Sequence, residues 1–223
     1  MGFPLSRQMR IGIGSGGPRL PALPPVDSIY LPGTAGNDIL VQGRGVTDPD
    51  ARFDVEWQID NQDFITTWSP VYYHNGTGAA TRQIIYCTDT QIWVFYAAGN
   101  TTFSAIGDPL DGRAFRLETD YDDPATTTSR LYAAPRTTDF DAATWTLLGT
   151  ETTANGNDGP AAPSSNLLIS GPPANAQLKG DVRRIRSQSA AGLNVDIYPA
   201  QDRPEPPTWA SSAGHNITLR TPA

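Results

Sequence analysis

The chain has 223 residues, of which 38% are hydrophobic, and it contains 21 glycines and 20 prolines. Such a content of turn-forming residues is typical of many short strands and excludes a fold built on long helices. The formal net charge of −7 argues against nucleic acid or an anionic membrane as a general partner.

Cysteine usage and the N-terminus indicate the compartment. Cys87 is the only cysteine, so the chain forms no internal disulfide and no cysteine-based zinc cage. Its apolar neighbours predict a buried, inert thiol. Residues 1–10 lack the apolar run of a signal peptide, and no stretch is long enough to span a bilayer. We therefore expect a protein made in a cytoplasm, without membrane insertion.

Residues 1–26 differ in composition from the rest of the chain. They are rich in Gly and Pro and contain three arginines, so they cannot form a helix or a core of their own. A solvated tail and an extended arm that docks on a partner are both consistent with this composition. We favour the arm, because a solvated tail has little use for large apolar residues. The expected anchors of the arm are Phe3, Leu5, Ile11 and Ile13.

From residue 27 to residue 203, apolar and polar residues alternate in short runs separated by turn residues, a pattern typical of strands. In RFDVEWQID, Phe53 and Trp57 belong to an apolar face, and Asp54 and Glu56 to a polar one. The run RQIIYCTDTQIWVFYAAGN predicts a hairpin that turns at residues 88–90. The pattern predicts one all-β sandwich, followed by a tail, residues 204–223, that adds a last strand at HNITLR.

Several of these runs, in their order, resemble a known family. The runs are IYLPGTAGN, FDVEWQID, RAFRLETDYDD, SRLYAAPRTTDFDAATWTLLGT and GDVRRIRSQSAAGLNVDIYPA. They resemble the concanavalin A-like (laminin-G-like) jelly-roll domains in minor tail proteins of bacteriophages that infect actinobacteria. The resemblance covers roughly residues 28–200, and residues 138–150 match the edge hairpin of that family. It implies a concanavalin A-like jelly-roll β-sandwich, here behind an extended N-terminal arm.

The resemblance also implies a function. We expect a non-catalytic virion structural protein, of minor tail or head-decorating type, that attaches to other virion proteins by its arm. It would form a homo-oligomer, such as a trimer, and display a lectin-like domain for a glycan of the host surface. The alternative is a glycan-active enzyme or a free carbohydrate-binding lectin, which fold analogy alone supports.

One aromatic stretch is a candidate ligand or partner surface. Sugar-binding proteins place aromatic faces beside polar donors and acceptors. The densest stretch of this kind lies where a strand is predicted to end in a loop, and comprises Trp68, Tyr72, Tyr73, His74 and Asn75.

The acidic residues suggest two further sites. Asp120, Asp122 and Asp123 cluster in one turn, where they are candidate calcium ligands, although Asp is also an ordinary turn residue. No other cofactor is expected. Asp54 and Glu56 have a spacing that a glycosidase pair can use, but we interpret them as part of a solvated polar face.

The basic residues cluster once, at Arg183, Arg184 and Arg186. Because side chains alternate along a strand, they form no continuous patch. A salt bridge to a neighbouring subunit is one interpretation of this cluster.

Overall fold

The computed structural model describes residues 27–42, 52–61, 69–74, 83–88, 90–96, 99–104, 113–120, 126–154, 166–170, 177–189, 192–202, 208–211 and 214–220. Within these ranges the chain is built almost entirely of strands. The strands are β1 (Ile29–Pro32), β2 (Asp38–Val41), β3 (Arg52–Asp60), β4 (Ser69–His74), β5 (Gln83–Cys87), β6 (Gln91–Tyr96), β7 (Gly99–Ser104), β8 (Arg113–Asp120), β9 (Thr126–Pro135), β10 (Thr146–Ala154), β11 (Leu167–Ile169), β12 (Lys179–Ser189), β13 (Gly192–Ile197), β14 (Thr208–Ala210) and β15 (Asn216–Arg220). A four-residue helix, α1 (Pro199–Asp202), follows β13.

The strands form two antiparallel sheets. Sheet A has the order β1-β12-β3-β8-β9-β10, with β13 pairing with β12 as well. Sheet B has the order β14-β15-β2-β11-β4-β5-β6-β7. Strands distant in sequence lie side by side in each sheet, as in a jelly roll. The predicted all-β jelly-roll β-sandwich is confirmed.

The alternation predicted for β3 positions the core. Phe53, Val55, Trp57 and Ile59 point between the sheets and are buried. The indole of Trp57 stacks on the ring of Phe115 with 5.6 Å between centroids. Such a stack adds stability beyond the apolar area that it buries. The strand therefore has one face in the core, and its polar face belongs to the other side of sheet A.

The hairpin predicted within residues 82–100 is present as β5 and β6, which pair antiparallel. The Thr88 hydroxyl accepts a hydrogen bond from the backbone N–H of Gln91 at 3.0 Å and closes the turn. Cys87 is free and fully buried, and burial raises the pKa of its thiol. The predicted buried thiol is confirmed.

The segment from Thr138 to Thr150 was expected to belong to an edge hairpin. Its strand, β10, is the last strand of sheet A and pairs with β9. A β-bulge interrupts β10 between Leu147 and Gly149. A Cβ atom added at Gly149 would lie 3.3 Å from the Phe103 ring of β7. Sheet A therefore approaches sheet B closely at this edge.

Strand β12 carries a second bulge, in the middle of sheet A. Its register with β3 shifts by one residue between Val182, which pairs with Ile59, and Arg184, which pairs with Gln58. Arg183 is the extra residue. Because of the bulge, Val182 and Ile185 both lie in the core although two residues, Arg183 and Arg184, stand between them.

The C-terminal part joins sheet B. β15 covers all of the HNITLR segment except its first residue and pairs with β2. Arg220 makes two hydrogen bonds of 2.6 Å to Asp38. The domain boundaries proposed at residues 26 and 203 stay predictions. In the part of the chain that the structure describes, no helix has the length and apolar character needed to cross a membrane.

Candidate functional site

The outer face of sheet A, which is turned away from the core, holds the candidate site. The polar residues of β3 lie here and were expected to be solvated. That expectation was wrong, because arginines of adjoining strands and the segment 136–145 cover them. Each is at most 5% exposed. The residues concerned are Asp54, Glu56, Gln58 and Asp60.

Glu56 lies at the centre of this face. Its Oε2 accepts a hydrogen bond from Arg186 Nε at 2.5 Å, and Arg186 Nη1 donates to the exposed Asp141 at 2.9 Å. Burial acts to lower the pKa of Arg186, but the bonds to both carboxylates outweigh it and raise the pKa. Arg186 therefore stays charged beneath the surface.

A second group of charges lies between β3 and β8. Asp54 and Glu118 are cross-strand partners, and Arg116 Nη2 lies 2.9 Å from Asp54 Oδ2 and 3.0 Å from Glu118 Oε1. The Tyr132 hydroxyl donates to Glu118 Oε2 at 3.3 Å. Burial, and next the negative charge of Glu118, raise the pKa of Tyr132. One guanidinium thus holds two facing carboxylates together.

The segment 136–145 forms a cap over part of the outer face. The Phe140 ring is buried, with the guanidinium carbons of Arg184 and Arg186 at 5.2 and 5.5 Å from its centroid. Trp145 Nε1 donates to the Phe140 carbonyl at 3.3 Å. Cation–π contacts of this kind stabilise an aromatic ring over a charged layer. The cap is therefore fixed by the arginines that it covers.

A cleft of about 390 Å³ opens beside the cap. We call it the Tyr198 cleft. Two of its lining residues bind the buried Asp60, whose Oδ1 accepts from Gln58 Nε2 at 2.8 Å and whose Oδ2 accepts from Arg183 Nε at 2.9 Å. Arg136 also pairs with Oδ2. The cleft is lined by Asp27, Gln58, Arg136, Thr137, Thr138, Arg183, Tyr198 and Ala200.

Further contacts fix the wall of the Tyr198 cleft. The amide of Thr137 donates to Gln58 Oε1 at 3.3 Å, so both ends of the Gln58 side chain are engaged. The hydroxyls of Thr138 and Tyr198 lie 3.1 Å apart, and the Arg184 guanidinium lies 4.6 Å from the Tyr198 ring centroid. The cleft thus presents an aromatic ring and planar polar groups in fixed orientations.

The basic cluster has its partners within the chain. Arg183 binds Asp60, Arg184 binds Asp196 through two hydrogen bonds of 2.9 and 2.6 Å, and Arg186 binds Glu56. The interpretation of these arginines as intersubunit partners is corrected by these contacts.

Of the aromatic stretch predicted as a ligand surface, residues 72–74 are described and belong to β4 of sheet B, away from this face. Tyr72 is fully buried in the core, its hydroxyl 3.5 Å from Ser187 Oγ, and burial raises the pKa of its phenol. A surface role for Tyr72 was therefore wrong. Tyr73 and His74 are the last residues of β4. Trp68 and Asn75 lie outside the described residues.

The proposed calcium turn is described only at its first residue. Asp120 ends β8, with one carboxylate oxygen 3.8 Å from Arg130 Nη1. Asp122 and Asp123 lie outside the described residues, as do the arm anchors Phe3, Leu5, Ile11 and Ile13. Among the residues that are described, no three acidic, histidine or cysteine side chains gather around one point. The calcium site and the arm stay predictions.

Sequence reasoning missed most of the Tyr198 cleft. Arg136 follows β9 and Tyr198 follows β13. Both line the cleft because β13, β12, β3, β8 and β9 are successive neighbours in sheet A, an order that the residue pattern does not show. The sequence feature that could have indicated this site was the acidic face of β3 together with the arginines of β12. Buried charges require partners of opposite sign, so these two sets of residues could have been paired.

No protein-family model and no curated protein matches the chain. Among solved structures, a heptameric SAP-like pentraxin from Limulus polyphemus is similar, with 12% identity, a TM-score of 0.46 and coverage of 86% of this chain and 94% of that one. A scytalido-glutamic peptidase is similar, with 10% identity and a TM-score of 0.35. SCP-B, a peptidase of the eqolisin family, is similar with 8% identity and a TM-score of 0.33. Each comparison covers 84% of this chain and 98% of the peptidase. These likenesses concern the fold alone.

The comparisons correct one expectation. We expected a non-catalytic protein, yet similar solved structures include glutamic peptidases, at 8–10% identity and TM-scores of 0.33 to 0.37. The absence of catalysis is therefore withdrawn as a conclusion, and likenesses this weak establish no activity. The concanavalin A-like jelly-roll fold stands, whereas these structures lend no support to the phage or laminin-G part of the resemblance.

Proposed function

We propose that the chain is a carbohydrate-binding domain of the concanavalin A-like jelly-roll class, with its binding site in the Tyr198 cleft. The observation that carries the proposal is the convergence of Gln58, Arg136 and Arg183 on the single buried carboxylate of Asp60. These planar groups have fixed directions before any ligand arrives. A ligand that uses them loses little free energy to ordering of the protein.

The chemistry of the cleft suits a sugar. Sugar rings have hydroxyls around their edge and C–H groups on their faces, so they need directional hydrogen bonds and an aromatic surface. The cleft supplies guanidinium and threonine groups beside Tyr198. Its volume lies within the range of about 300–1,000 Å³ that is usual for small-molecule sites.

The first experiment is a binding screen of the full chain on an array of neutral and acidic oligosaccharides, followed by titration calorimetry with each bound sugar. We expect at least one to bind. In Arg136→Gln, whose side chain is 57% exposed, we expect a loss of affinity of about tenfold or more, as for a hydrogen bond to a charged group.

The matched control is Arg130→Gln, on β9, the strand that Arg136 follows; its side chain is 37% exposed and lies outside the residues that line the cleft. Its affinity should equal that of the wild type. If no oligosaccharide binds, the proposed function is wrong. Equal affinities in both variants and the wild type would show that the sugar binds elsewhere.

The narrower function, display of this domain on a virion through residues 1–26, is a separate proposal supported by the sequence resemblance. Co-sedimentation with particles that lack the protein tests it. Attachment of the full chain but not of a chain without residues 1–26 is the expected result. Equal behaviour of the two chains would contradict the proposal.

A further inference from the structure

Another pocket, of about 310 Å³, opens at the end of sheet A where β8 and β10 begin and β9 ends. We call it the Arg113 pocket. It is lined by Arg113, Ala133, Ala134, Pro135, Thr146 and Leu148. One guanidinium and one hydroxyl are the polar side-chain groups of this set, and the other side chains are apolar. The pocket therefore differs in chemistry from the Tyr198 cleft.

The strand register shows on which side of the sheet the polar groups lie. Phe115, two positions after Arg113 on β8, is buried in the core, and alternate side chains of a strand lie on one face. Arg113 is therefore on the core side of sheet A. Thr146 is on the same side, because it pairs with Ala133, which also pairs with Phe115. A cation and a hydroxyl thus occupy neighbouring strands on the core side of this end of the sheet.

Arg113 differs from the other arginines in its electrostatic surroundings. Its side chain is half-buried, yet no carboxylate of the described residues forms an ion pair with it. Every other arginine whose side chain is described lies 3.8 Å or less from a carboxylate oxygen: Arg116, Arg130, Arg136, Arg183, Arg184, Arg186 and Arg220.

This exception occurs in a chain with a net charge of −7, in which carboxylates outnumber arginines. Removing a guanidinium from water without giving it a partner is costly. An anion that enters the pocket from solution would supply the partner that the described residues do not.

We infer that the Arg113 pocket binds a small monocarboxylate whose remaining part is apolar. One guanidinium balances one negative charge, and its parallel N–H groups match the two oxygens of a carboxylate. A phosphate dianion would leave an unbalanced charge beside Ala133, Pro135 and Leu148, and an ammonium group would meet a like charge. The volume lies at the lower end of the range for small-molecule sites, so the apolar part is short. This site does not rest on the proposed carbohydrate function.

The test adds hexanoate to the full chain, with hexanol and hexylammonium as matched probes of equal chain length. Binding is followed by NMR at the Nε–H of Arg113 and at the methyl groups of Leu148. Hexanoate should shift both signals until they saturate. Hexanol should need at least about a tenfold higher concentration, because it lacks the charge, and hexylammonium should shift neither signal.

A free acid and the C-terminus of a peptide share this chemistry. N-acetyl-leucine, which mimics a peptide end, is therefore titrated beside hexanoate. Tighter binding of N-acetyl-leucine would identify a peptide end as the source of the carboxylate, and tighter binding of hexanoate would identify a free acid.

Arg113→Gln should weaken hexanoate binding, followed at Leu148, by about tenfold or more. The control is Arg130→Gln, which removes an arginine of β9 that does not line the pocket and should bind as the wild type does. Arg113→Gln should also keep the urea midpoint of the wild type, because it breaks no ion pair of the described residues. A clear fall in the midpoint would show that Arg113 has a carboxylate partner within the chain, and would overturn the inference.

Arg136→Gln separates this site from the Tyr198 cleft. It should leave hexanoate binding unchanged, whether or not a sugar binds in the cleft. If Arg136→Gln weakens hexanoate binding and Arg113→Gln does not, the carboxylate binds in the Tyr198 cleft and the inference is wrong. An equal response of Arg113 to hexanoate and hexanol, or no response to either, would overturn it as well.

Discussion

Asp54 and Glu118 face each other across β3 and β8, and the guanidinium of Arg116 contacts both carboxylates. Like charges directly opposite each other in a sheet are destabilising unless a cation lies between them. Their side chains are 7% and 12% exposed, so water screens them poorly.

Removal of this cation should therefore be costly. We expect Arg116→Met to lower the free energy of unfolding by about 3 kcal/mol, the scale for removing one partner of a buried pair. Urea denaturation measures it. Arg130→Met is the control, because the contact of Arg130 with Asp120 is longer and more exposed, and its cost should stay below about 1 kcal/mol. Equal costs in the two variants would contradict this account.

The two carboxylates bound to Arg186 should contribute unequally. Arg186→Met leaves the buried Glu56 carboxylate without its cation and should cost about 3–5 kcal/mol of stability. Asp141→Asn removes a charge whose side chain is 79% exposed, and should cost less than about 1 kcal/mol. Both values come from chemical denaturation at neutral pH. A larger effect of Asp141→Asn than of Arg186→Met would show that the cap, and not Glu56, depends on this arginine.

The sandwich interior contains hydroxyls that make no hydrogen bond within the structure, among them those of Thr119, Thr127 and Ser129. Valine has the shape of threonine without the hydroxyl. We expect Thr127→Val to raise the free energy of unfolding by about 1 kcal/mol, because an unpaired buried hydroxyl is unfavourable. Thr128→Val, on the solvent side beside Thr152, should change it little. A loss of stability in Thr127→Val would reveal a bound water at this hydroxyl.

The Cys87 thiol should be protected from reagents. It is fully buried, so a reagent cannot reach it, and burial raises its pKa, so little of it is present as the reactive thiolate. We expect modification by a disulfide reagent in the native protein to be slower than in urea by about a thousandfold or more, since it requires unfolding. Rapid labelling of the native protein would contradict the burial.

The fold was accessible from sequence because alternation is a local property. The period-2 pattern of β3 correctly assigned Phe53 and Trp57 to the core, and the turn after Cys87 identified the β5–β6 hairpin. The polar side of the same strand was misjudged, because period 2 distinguishes the two faces of a strand but does not show what lies on each. Asp54 and Glu56 are buried because β8 and β12 lie on either side of β3 and bring arginines over them.

The aromatic stretch at Tyr72 illustrates the converse error. Aromatic density is the same whether rings bind a ligand or fill a core, and the bulge between Pro70 and Tyr72 changes which side chains of β4 point inward. Such a shift of register has no signature in the residue pattern. The Tyr198 cleft, assembled from positions 58, 136, 183 and 198, depends in the same way on long-range strand order.

The bulge at Arg183 has a consequence for how this protein tolerates changes in chain length. Deleting that one residue would remove the bulge and restore regular pairing, with Arg184 still opposite Gln58 and Ile185 still opposite Trp57. Arg184 and Arg186 would keep facing the carboxylates, and the loss would be the contact of Arg183 with Asp60. A residue inserted between Ile185 and Arg186 would instead turn Arg186 toward the apolar interior, because side chains alternate along a strand. Relatives that keep this charged face should therefore tolerate the loss of residue 183 far better than an insertion after Ile185.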